Sequence, residues 1–458
     1  MKSLKDKGIT LIALVVTIIV LLILAGVSIA MLTGENGILT QAQNAKKETE
    51  EAEEKEKIQL AVLDAISKNN DLTEESLQKE IDDEFGSGET KVYENENENF
   101  SVIFQNKDTN YRIEDGKVTK IDIAFKIRNK EELKEFMEEV NGGNSFENQY
   151  VYLLEDIDLD NQDWDVIGSY TDENTNEPFA GIFEGNNKTI NNININNDGK
   201  QIGLFAYNTG IIRDLSITGT ITGSRVTGGI NGRNEGTIEN CSNLASVTSE
   251  TSGYVGGISG SNHGIISKSY NRGSIKAIFN AGGIAGGNAE EGVIEYCYNL
   301  GDVTGTGQEN DGSNVNITHS GGIGGHTYGK INNCYNVGNI KSEYSECGGI
   351  SGSILGNGEI SNCYNIGEIY KQGSNLGNIV GAAYTQSKIS NCYYSREICN
   401  LNGVGGIGAS TVLDETIERT INYMKTNSFV NDLNKNEEAY IIDSNFNNGY
   451  PVLRWQVK

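Results

Sequence analysis

The stretch GGISGSILGNGEISNCYN, residues 348–365, contains the two motifs that decide the fold of this 458-residue chain. The first motif, Gly-Gly-Ile-x-Gly, occurs six times, with Asn replacing the second glycine in the last copy, at 228–232, 256–260, 282–286, 321–325, 348–352 and 377–381. The second motif is typified by Asn-Cys-Tyr-Asn, and its central residues are Cys241, Ser269, Cys297, Cys334, Cys363 and Cys392. These centres are 28, 28, 37, 29 and 29 residues apart.

A regular period of about 28 residues with three short strands in each repeat predicts a solenoid. One such unit cannot bury its own apolar face, so it must stack on its neighbours. We expect about eight coils, stacked in parallel at about 4.8 Å per coil. We therefore predict a mainly β chain, namely a right-handed parallel β-helix preceded by a long N-terminal α-helix and a small α+β domain.

Every equivalent position in a stack of this kind becomes a ladder of side chains. The cysteines at the motif centre, with Ser269 in the second copy, are predicted to be small inward-facing residues. A catalytic thiol is the alternative, but five copies and only three histidines disfavour it. Because Ile238 and Cys241 are three residues apart, both face inward only if a bend lies between them. The asparagines that end the motif predict an internal amide ladder of Asn243, Asn271, Asn299, Asn336 and Asn365.

Tyrosines repeat with the same period and supply a candidate ligand surface. They form either a packing ladder or an outward stripe that could stack on glycan rings. The members are Tyr270, Tyr298, Tyr335, Tyr364 and Tyr393. The insertion from Thr306 to Thr318 breaks the period, and loop insertions on solenoids often carry binding sites.

The repeats resemble the GLUG-motif family over residues 228 to about 394, through the glycine motif and the Asn-Cys-Tyr-Asn turn quoted above. This resemblance implies a β-solenoid segment of a bacterial surface or secreted protein that acts in adhesion or as a passive stalk. The closing Asn448-Gly449-Tyr450-Pro451-Val452-Leu453-x-Trp455 resembles the final segment of such proteins, which we expect to carry fold information and no chemistry.

An uncharged apolar run from Ile9 to Leu32 follows a short basic leader. Its 24 residues would form a helix of roughly 36 Å, enough to cross a hydrocarbon core of about 30 Å. Lys2, Lys5 and Lys7 precede the run, so the positive-inside rule places residues 1–8 in the cytoplasm. We predict a single-pass membrane protein with an extracellular C-terminal region.

The junction Lys7-Gly8-Ile9-Thr10 resembles a type IV prepilin, over about residues 1 to 68. The resemblance implies cleavage after Gly8 by a prepilin peptidase, methylation of the new N-terminal Ile9, a location at a pilus or the cell surface, and other pilin-like subunits as partners. Ala13 stands where that family usually has Glu, so the chain lacks a carboxylate that could pair with a neighbouring N-terminal amine. A plain N-terminal membrane anchor is the alternative.

A second helical pattern runs from Ile38 to about Ser67. Ile58, Val62 and Ile66 form the apolar stripe expected to dock on a small sheet.

Composition restricts the partners and the chemistry. A net charge of −27 argues against nucleic acid and anionic membrane surfaces. Seven cysteines, five of them at one repeat position, do not indicate a disulfide framework, and no cofactor or metal is expected. The acidic run from Asp156 to Asp165 lacks the glycine of a calcium loop. The histidines form no HExxH motif.

We predict six segments: a leader (1–8), a transmembrane or pilin helix (9–32), a pilin-like α+β domain (33–125), a capping helix with the first solenoid coils (126–227), the GLUG-type solenoid (228–400) and a C-terminal capping segment (401–458). The expected function is cell-surface display or adhesion by a non-catalytic solenoid that binds an extracellular glycan or protein. The alternative is a secreted or membrane-anchored β-helix carbohydrate-active enzyme, either a lyase or a hydrolase.

Overall fold

The computed structural model describes residues 15–22, 37–69, 72–95, 99–107, 109–170, 176–251, 253–307, 318–343, 346–370, 374–408 and 412–457. Residues 15–22 are helical. None of the described helices is long and apolar enough to cross a membrane. The predicted cleavage site at Gly8 and Ile9, the residue Ala13 and most of the predicted span lie outside the described residues. The chain divides into two compact units, 1–122 and 123–458.

The first unit is an α+β domain in which two helices cover a four-stranded antiparallel sheet. Its helices are α1 (Ile38–Asn69) and α2 (Glu74–Phe85), and its strands are Thr90–Asn95, Asn99–Phe104, Asn110–Glu114 and Lys117–Ile121. Ile58, Val62 and Ala65 of α1 are buried, whereas Ile66 is 43% exposed. The predicted stripe is thus wrong at its last member, because the helical period of 3.6 brings position 65 to the docked face.

The second unit begins with a helix that closes the end of the solenoid. α3 (Lys130–Asn141) lies between the strands Ile123–Ile127 and Tyr150–Leu153. Phe136 on this helix contacts Phe179, Phe183 and Phe205, with ring centroids 5.8 to 6.5 Å apart. This aromatic cluster covers the apolar end that the first coil would otherwise expose to water.

The solenoid is built from three sheets whose strands all pair in parallel. Sheet I consists of Ile123–Ile127, Tyr150–Leu153, Ile157–Asp158, Ile182–Asn196, Ile211–Gly223, Thr237–Glu239, Ser242–Asn243, Ser246–Ser249, Ile265–Ser267, Tyr270–Asn271, Ile275–Ala277, Val293–Glu295, Tyr298–Asn299, Val303–Gly305, Lys330–Asn332, Tyr335–Asn336, Ile340–Ser342, Glu359–Ser361, Tyr364–Asn365, Ile369–Tyr370, Lys388–Tyr394 and Leu413–Glu418.

Sheet II and sheet III continue each coil. Sheet II consists of Gln201–Ile202, Val226–Gly228, Tyr254–Gly256, Asn280–Gly282, His319–Gly321, Glu346–Gly348 and Asn375–Gly377. Sheet III consists of Phe205–Asn208, Asn231–Asn234, Ser259–Asn262, Ala285–Asn288, Gly324–Thr327, Ser351–Ile354, Val380–Ala383 and Val404–Ile407. The predicted mainly β solenoid is confirmed, with about ten turns. The expected eight, which include two degenerate coils before Gly228, are too few because the outermost strands Ile123–Ile127 and Leu413–Glu418 also pair with sheet I.

Short elements complete the second unit. A two-stranded hairpin pairs Ser169–Tyr170 with Asn176–Glu177. The C-terminal segment contains α4 (Asn427–Leu433), the antiparallel pair Tyr440–Ile441 and Val452–Leu453, and 3-10 turns at Tyr423–Lys425, Asn447–Gly449 and Arg454–Gln456.

The interior of the coils is filled by ladders of identical residues. The isoleucines of the glycine motif and those three residues before the motif centre are fully buried, and so are the cysteines. The predicted bend between Ile238 and Cys241 is confirmed, because Asn240 between them has φ +49°. The same left-handed conformation recurs at Lys268, Tyr296, Asn333, Asn362 and Asn391. Asparagine tolerates this conformation better than most residues, which explains its frequency at this position.

The two sequence motifs pack against each other in the folded coil. Each motif asparagine donates its side-chain amide to the next, at 2.8 Å, from Asn243 through Asn271, Asn299 and Asn336 to Asn365. A Cβ on Gly257 would lie 2.5 Å from the Asn271 side chain and 2.2 Å from the Gly283 carbonyl oxygen. Any residue with a Cβ would therefore clash with the amide ladder, so this position requires glycine.

Candidate ligand-binding pocket at the tyrosine ladder

The five repeat tyrosines are placed one above another by the strand register, and we call them the tyrosine ladder. Tyr270, Tyr298, Tyr335 and Tyr364 pair in sequence across sheet I, and Tyr393 follows Tyr364. Stacked ring centroids are 4.9, 5.1 and 5.1 Å apart, with interplanar angles of 6°, 3° and 3°. The ring spacing is thus set by the spacing of parallel strands.

The C-terminal segment covers most of this ladder. Phe429 of α4 contacts Tyr364 and Tyr393 edge-on, at centroid distances of 5.8 and 5.1 Å. Tyr440 packs against Tyr364 at 5.9 Å and donates its hydroxyl to the Asn362 carbonyl at 2.8 Å. These contacts bury the ladder from Tyr335 onward.

The exposed fractions of the ladder tyrosines show that the predicted ligand surface is mostly buried. Tyr335, Tyr364 and Tyr393 are 1%, 0% and 2% exposed, so they form a packing ladder, and of these three Tyr335 borders the cavity beside Trp455. Their hydroxyls bond inside the protein, with Tyr335 donating to Gln456 Oε1 at 3.0 Å and Tyr364 donating to the Pro451 carbonyl. Burial raises the pKa of Tyr335 and Tyr364, so both remain neutral.

The cover of the ladder becomes incomplete near Trp455. The Trp455 ring lies 5.7 Å from that of Tyr298, and its Nε1 donates to the Tyr296 carbonyl at 2.9 Å. Beside them is a cavity of about 530 Å³. Its lining residues are Asn240, Tyr270, Arg272, Tyr298, Leu300, Tyr335, Ser444, Asn445, Phe446, Asn447, Asn448, Val452, Trp455 and Gln456.

The loop across the cavity is held in a defined conformation. Asn447 and Asn448 have φ of +47° and +51°, and the side chain of Asn447 donates to the Tyr364 hydroxyl at 2.9 Å. The backbone N–H of Asn445 donates to Asp443 Oδ1 at 2.8 Å. The loop and the half-buried ring of Tyr270 line the same cavity.

The pocket combines aromatic rings with amide and guanidinium groups. Such a set can stack on a flat ring and donate or accept several hydrogen bonds. Among the described residues that line it, none has a carboxylate, imidazole or thiol side chain. The arrangement therefore suits recognition more than proton transfer.

Sequence reasoning identified Tyr270 and Tyr298 but missed Arg272 and the C-terminal contribution. Trp455 and Asn448 were expected to carry fold information alone, but both line the pocket. The Asn-Gly-Tyr-Pro-x-Leu-x-Trp pattern was the only available signal, and it does not reveal that this segment folds back onto sheet I.

The cysteines occupy the interior positions that the sequence predicts for them. All seven are buried, and none of them forms a disulfide bond. Cys334 Sγ accepts the backbone N–H of Cys297 at 3.4 Å and donates to the Asn332 carbonyl at 3.1 Å. Burial raises the pKa of the Cys334 thiol, and a buried neutral thiol is inert.

The acidic run gives no second site among the described residues, and the insertion is described only at its ends. Asp158 accepts bonds from Asn192 at 2.9 Å and from the backbone of Asp160 at 2.8 Å, and the Asn192 bond lowers its pKa. The described residues contain no group of three side chains placed to hold a metal ion. Within the insertion, residues 308–317 lie outside the described part of the chain, and its role as a binding loop stays a prediction.

Comparison with known proteins gives one distant structural match. No family model and no curated protein matches the chain. One solved structure, described as a "putative immunoglobulin A1 protease from Bacteroides ovatus", matches with a TM-score of 0.48 and 21% identity over 73% of this chain and 93% of that chain. A match at this level carries no information about function.

Proposed function

We propose that this chain is a surface-displayed binding protein whose non-catalytic solenoid binds an extracellular carbohydrate in the pocket at the open end of the tyrosine ladder. The observation that supports this proposal is the joint lining of one cavity by Tyr270, Trp455, Arg272 and the asparagine loop 445–448. The N-terminal segment would hold the protein at the membrane or in a pilus.

A carbohydrate fits the chemistry of this pocket. A pyranose ring has an apolar C–H face that can lie on Tyr270 or Trp455, and its hydroxyls pair with planar amides and guanidinium groups. The volume of about 530 Å³ lies within the usual range for small-molecule sites. The ligand would be a short oligosaccharide or the end of a longer glycan.

The alternative enzymatic function finds less support at this pocket. Glycoside hydrolysis needs a pair of carboxyl groups across the scissile bond, and β-elimination needs a base beside the sugar carboxylate. The described lining residues include no carboxyl group, and tyrosine is their only side chain that could act as such a base.

Binding is tested with the full-length chain, purified in mild detergent, on a glycan array followed by calorimetry with the strongest ligand. Tyr270→Ala and Arg272→Gln are expected to weaken that binding at least fivefold. Tyr370→Ala is the matched control, because this tyrosine is 48% exposed and lies outside the pocket. Unchanged affinity in both pocket variants, or release of shortened products from a bound glycan, would contradict the proposal.

The display mechanism is a separate part of this proposal and rests on the prepilin resemblance. Mass spectrometry of the mature N-terminus is expected to find N-methylated Ile9. An intact Met1, or cleavage near Ala30, would exclude processing by a prepilin peptidase. Because Ala13 replaces the usual Glu, we propose a minor or membrane-held subunit and not the repeating subunit of a fibre.

A further inference from the structure

A second set of tyrosines lies on another face of the solenoid, where sheets II and III adjoin. We call Tyr254, Tyr328 and Tyr384 the tyrosine track; Tyr207, two coils before Tyr254, is buried against Tyr170 and does not belong to it. None of them belongs to the tyrosine ladder or lines the pocket beside Trp455. Unlike the ladder, the track has an exposed member, because Tyr328 is 41% exposed.

The track has a regular spacing of two coils. Tyr254 pairs with Asn280, and Asn280 pairs with His319 in the coil that contains Tyr328. The same count separates Tyr328 from Tyr384. Thr327 and Ala383, which precede Tyr328 and Tyr384, are joined through Ile354. Two strand spacings correspond to about 10 Å along the solenoid axis.

A glycine beside Tyr254 lets its ring lie flat against the solenoid at the edge of a cavity. Gly287 occupies the position between Ser261 and His326, and a Cβ there would lie 2.7 Å from the Tyr254 ring. The Tyr254 ring therefore packs directly against the backbone at Gly287. Tyr254 and Tyr328 line one cavity of about 300 Å³, together with Gln201, Val226, Arg233, Ser261, His263, Gly287, Asn288, Ala289 and His326.

The polar groups of this cavity are mostly uncharged. His263 Nε2 lies 3.1 Å from Ser261 Oγ, and His326 Nδ1 lies 2.9 Å from Ser353 Oγ. Burial lowers the pKa of both histidines, that of His326 to about 4, so both are neutral at neutral pH. Arg233 is paired with Glu235 at 2.6 Å. These groups can bond hydroxyls, and the net charge of −27 disfavours a polyanion.

We propose that the tyrosine track binds an extended, uncharged polysaccharide of the β-1,4-linked hexopyranose class, lying parallel to the solenoid axis. In such a ribbon successive sugars are turned over, so every second ring presents the same face. That repeat matches tyrosines placed at every second coil. A helical α-1,4-linked glucan cannot keep this register. The proposal is independent of the pocket at the tyrosine ladder, since the two sites share no residue.

The test uses calorimetry on the full-length chain with cellohexaose, chitohexaose and mannohexaose as ribbon probes and maltohexaose as the helical probe. At least one ribbon hexasaccharide is expected to bind, at least tenfold more tightly than its own disaccharide and than maltohexaose. Tyr328→Ala is expected to weaken binding about fivefold, and Tyr254→Ala about as much. Tyr370→Ala and Tyr270→Ala serve as matched controls and should leave this affinity unchanged.

Folding and occlusion are controlled with a second kind of variant. Tyr328 is exposed, so its removal should leave the circular dichroism and the melting temperature unchanged. Ala289→Gln fills the cavity without removing an aromatic ring and is expected to weaken binding as well. The proposal fails if no ribbon hexasaccharide binds, if maltohexaose binds equally well, or if Tyr254→Ala and Tyr328→Ala leave the affinity unchanged. Loss of binding in Tyr270→Ala alone would assign the ligand to the other pocket.

Discussion

The side-chain amide of Asn299 donates to Asn336 Oδ1 at 2.8 Å, although the two residues are 37 positions apart. The neighbouring bonds of the same ladder, with the same length, join residues 28 and 29 positions apart. The ladder thus continues unchanged across the insertion. The strands that flank the insertion also keep their register, since Val303 pairs with Ile340.

Asn299→Ala should destabilise the solenoid by about 2–4 kcal/mol. The wild-type side chain also bonds the N–H and the carbonyl of Gly301, at 3.2 and 2.8 Å, and these buried groups would lose their partner. Urea unfolding measures this change. Asn357→Ala, at an exposed turn, is the control and should cost less than about 0.5 kcal/mol. Equal effects of the two substitutions would show that the amide ladder does not stabilise the fold.

Cys334→Ser should be tolerated better than Cys334→Ala. Ser269 occupies the equivalent position in its own coil, where it accepts the N–H of Cys241 at 3.0 Å and donates to the Ser267 carbonyl at 2.8 Å. Alanine leaves the buried N–H of Cys297 without its acceptor, at a cost of about 1–3 kcal/mol. Thermal unfolding of both variants under reducing conditions gives the comparison. A serine variant less stable than the alanine variant would contradict this explanation.

Asp214→Asn should stabilise the protein at pH 7 by about 2 kcal/mol. Burial raises the pKa of Asp214 from 3.8 to about 6, so the folded state binds its proton more tightly than the unfolded state does. The ionised group therefore destabilises the fold fully above pH 6, and this penalty vanishes below about pH 4. Asparagine keeps an oxygen for Asn240, which donates to Asp214 Oδ1 at 2.6 Å.

The pH dependence identifies the cause of this stabilisation. Unfolding free energies of the variant and the wild type should converge as the pH falls from 7 to 4. Asp198→Asn, at an exposed carboxylate, should change stability little at either pH. A gain for Asp214→Asn that is the same at pH 4 would point to packing and not to the buried charge.

His326→Gln should make stability less sensitive to acid between pH 6.5 and pH 4. Burial, with a contribution from His319, lowers the pKa of His326 from 6.5 to about 4. A histidine with a depressed pKa contributes stability that is present above pH 6.5 and is lost as the pH falls toward 4. Glutamine can still bond Ser353 and does not titrate. The difference between the two proteins across this range should reach about 2–3 kcal/mol, and parallel pH profiles would rule out His326 as the titrating group.

The solenoid could be predicted because each position of the sequence repeat becomes a ladder of identical side chains. The spacing of the glycine and Asn-Cys-Tyr-Asn motifs indicates the coil, and the bend at Asn240 follows from strand alternation. The end coils could not be found in this way. Leu413–Glu418 pairs with Lys388–Tyr394 without either motif, because the exposed edge of the stack accepts any strand that can complete its backbone hydrogen bonds.

The amino-acid sequence by itself determined the coil, its interior residues and the in-register tyrosines, because a fixed period converts each position into a ladder. Only the tertiary structure decided which tyrosines a ligand can reach. Tyr364 and Tyr270 have the same motif position, yet Tyr364 is fully buried beneath Phe429 and Tyr440 whereas Tyr270 lies beside an open cavity. That difference arises from contacts between segments 65 or more residues apart, such as the ring contact of Tyr364 with Phe429 and its bond to Pro451, and no local pattern encodes them.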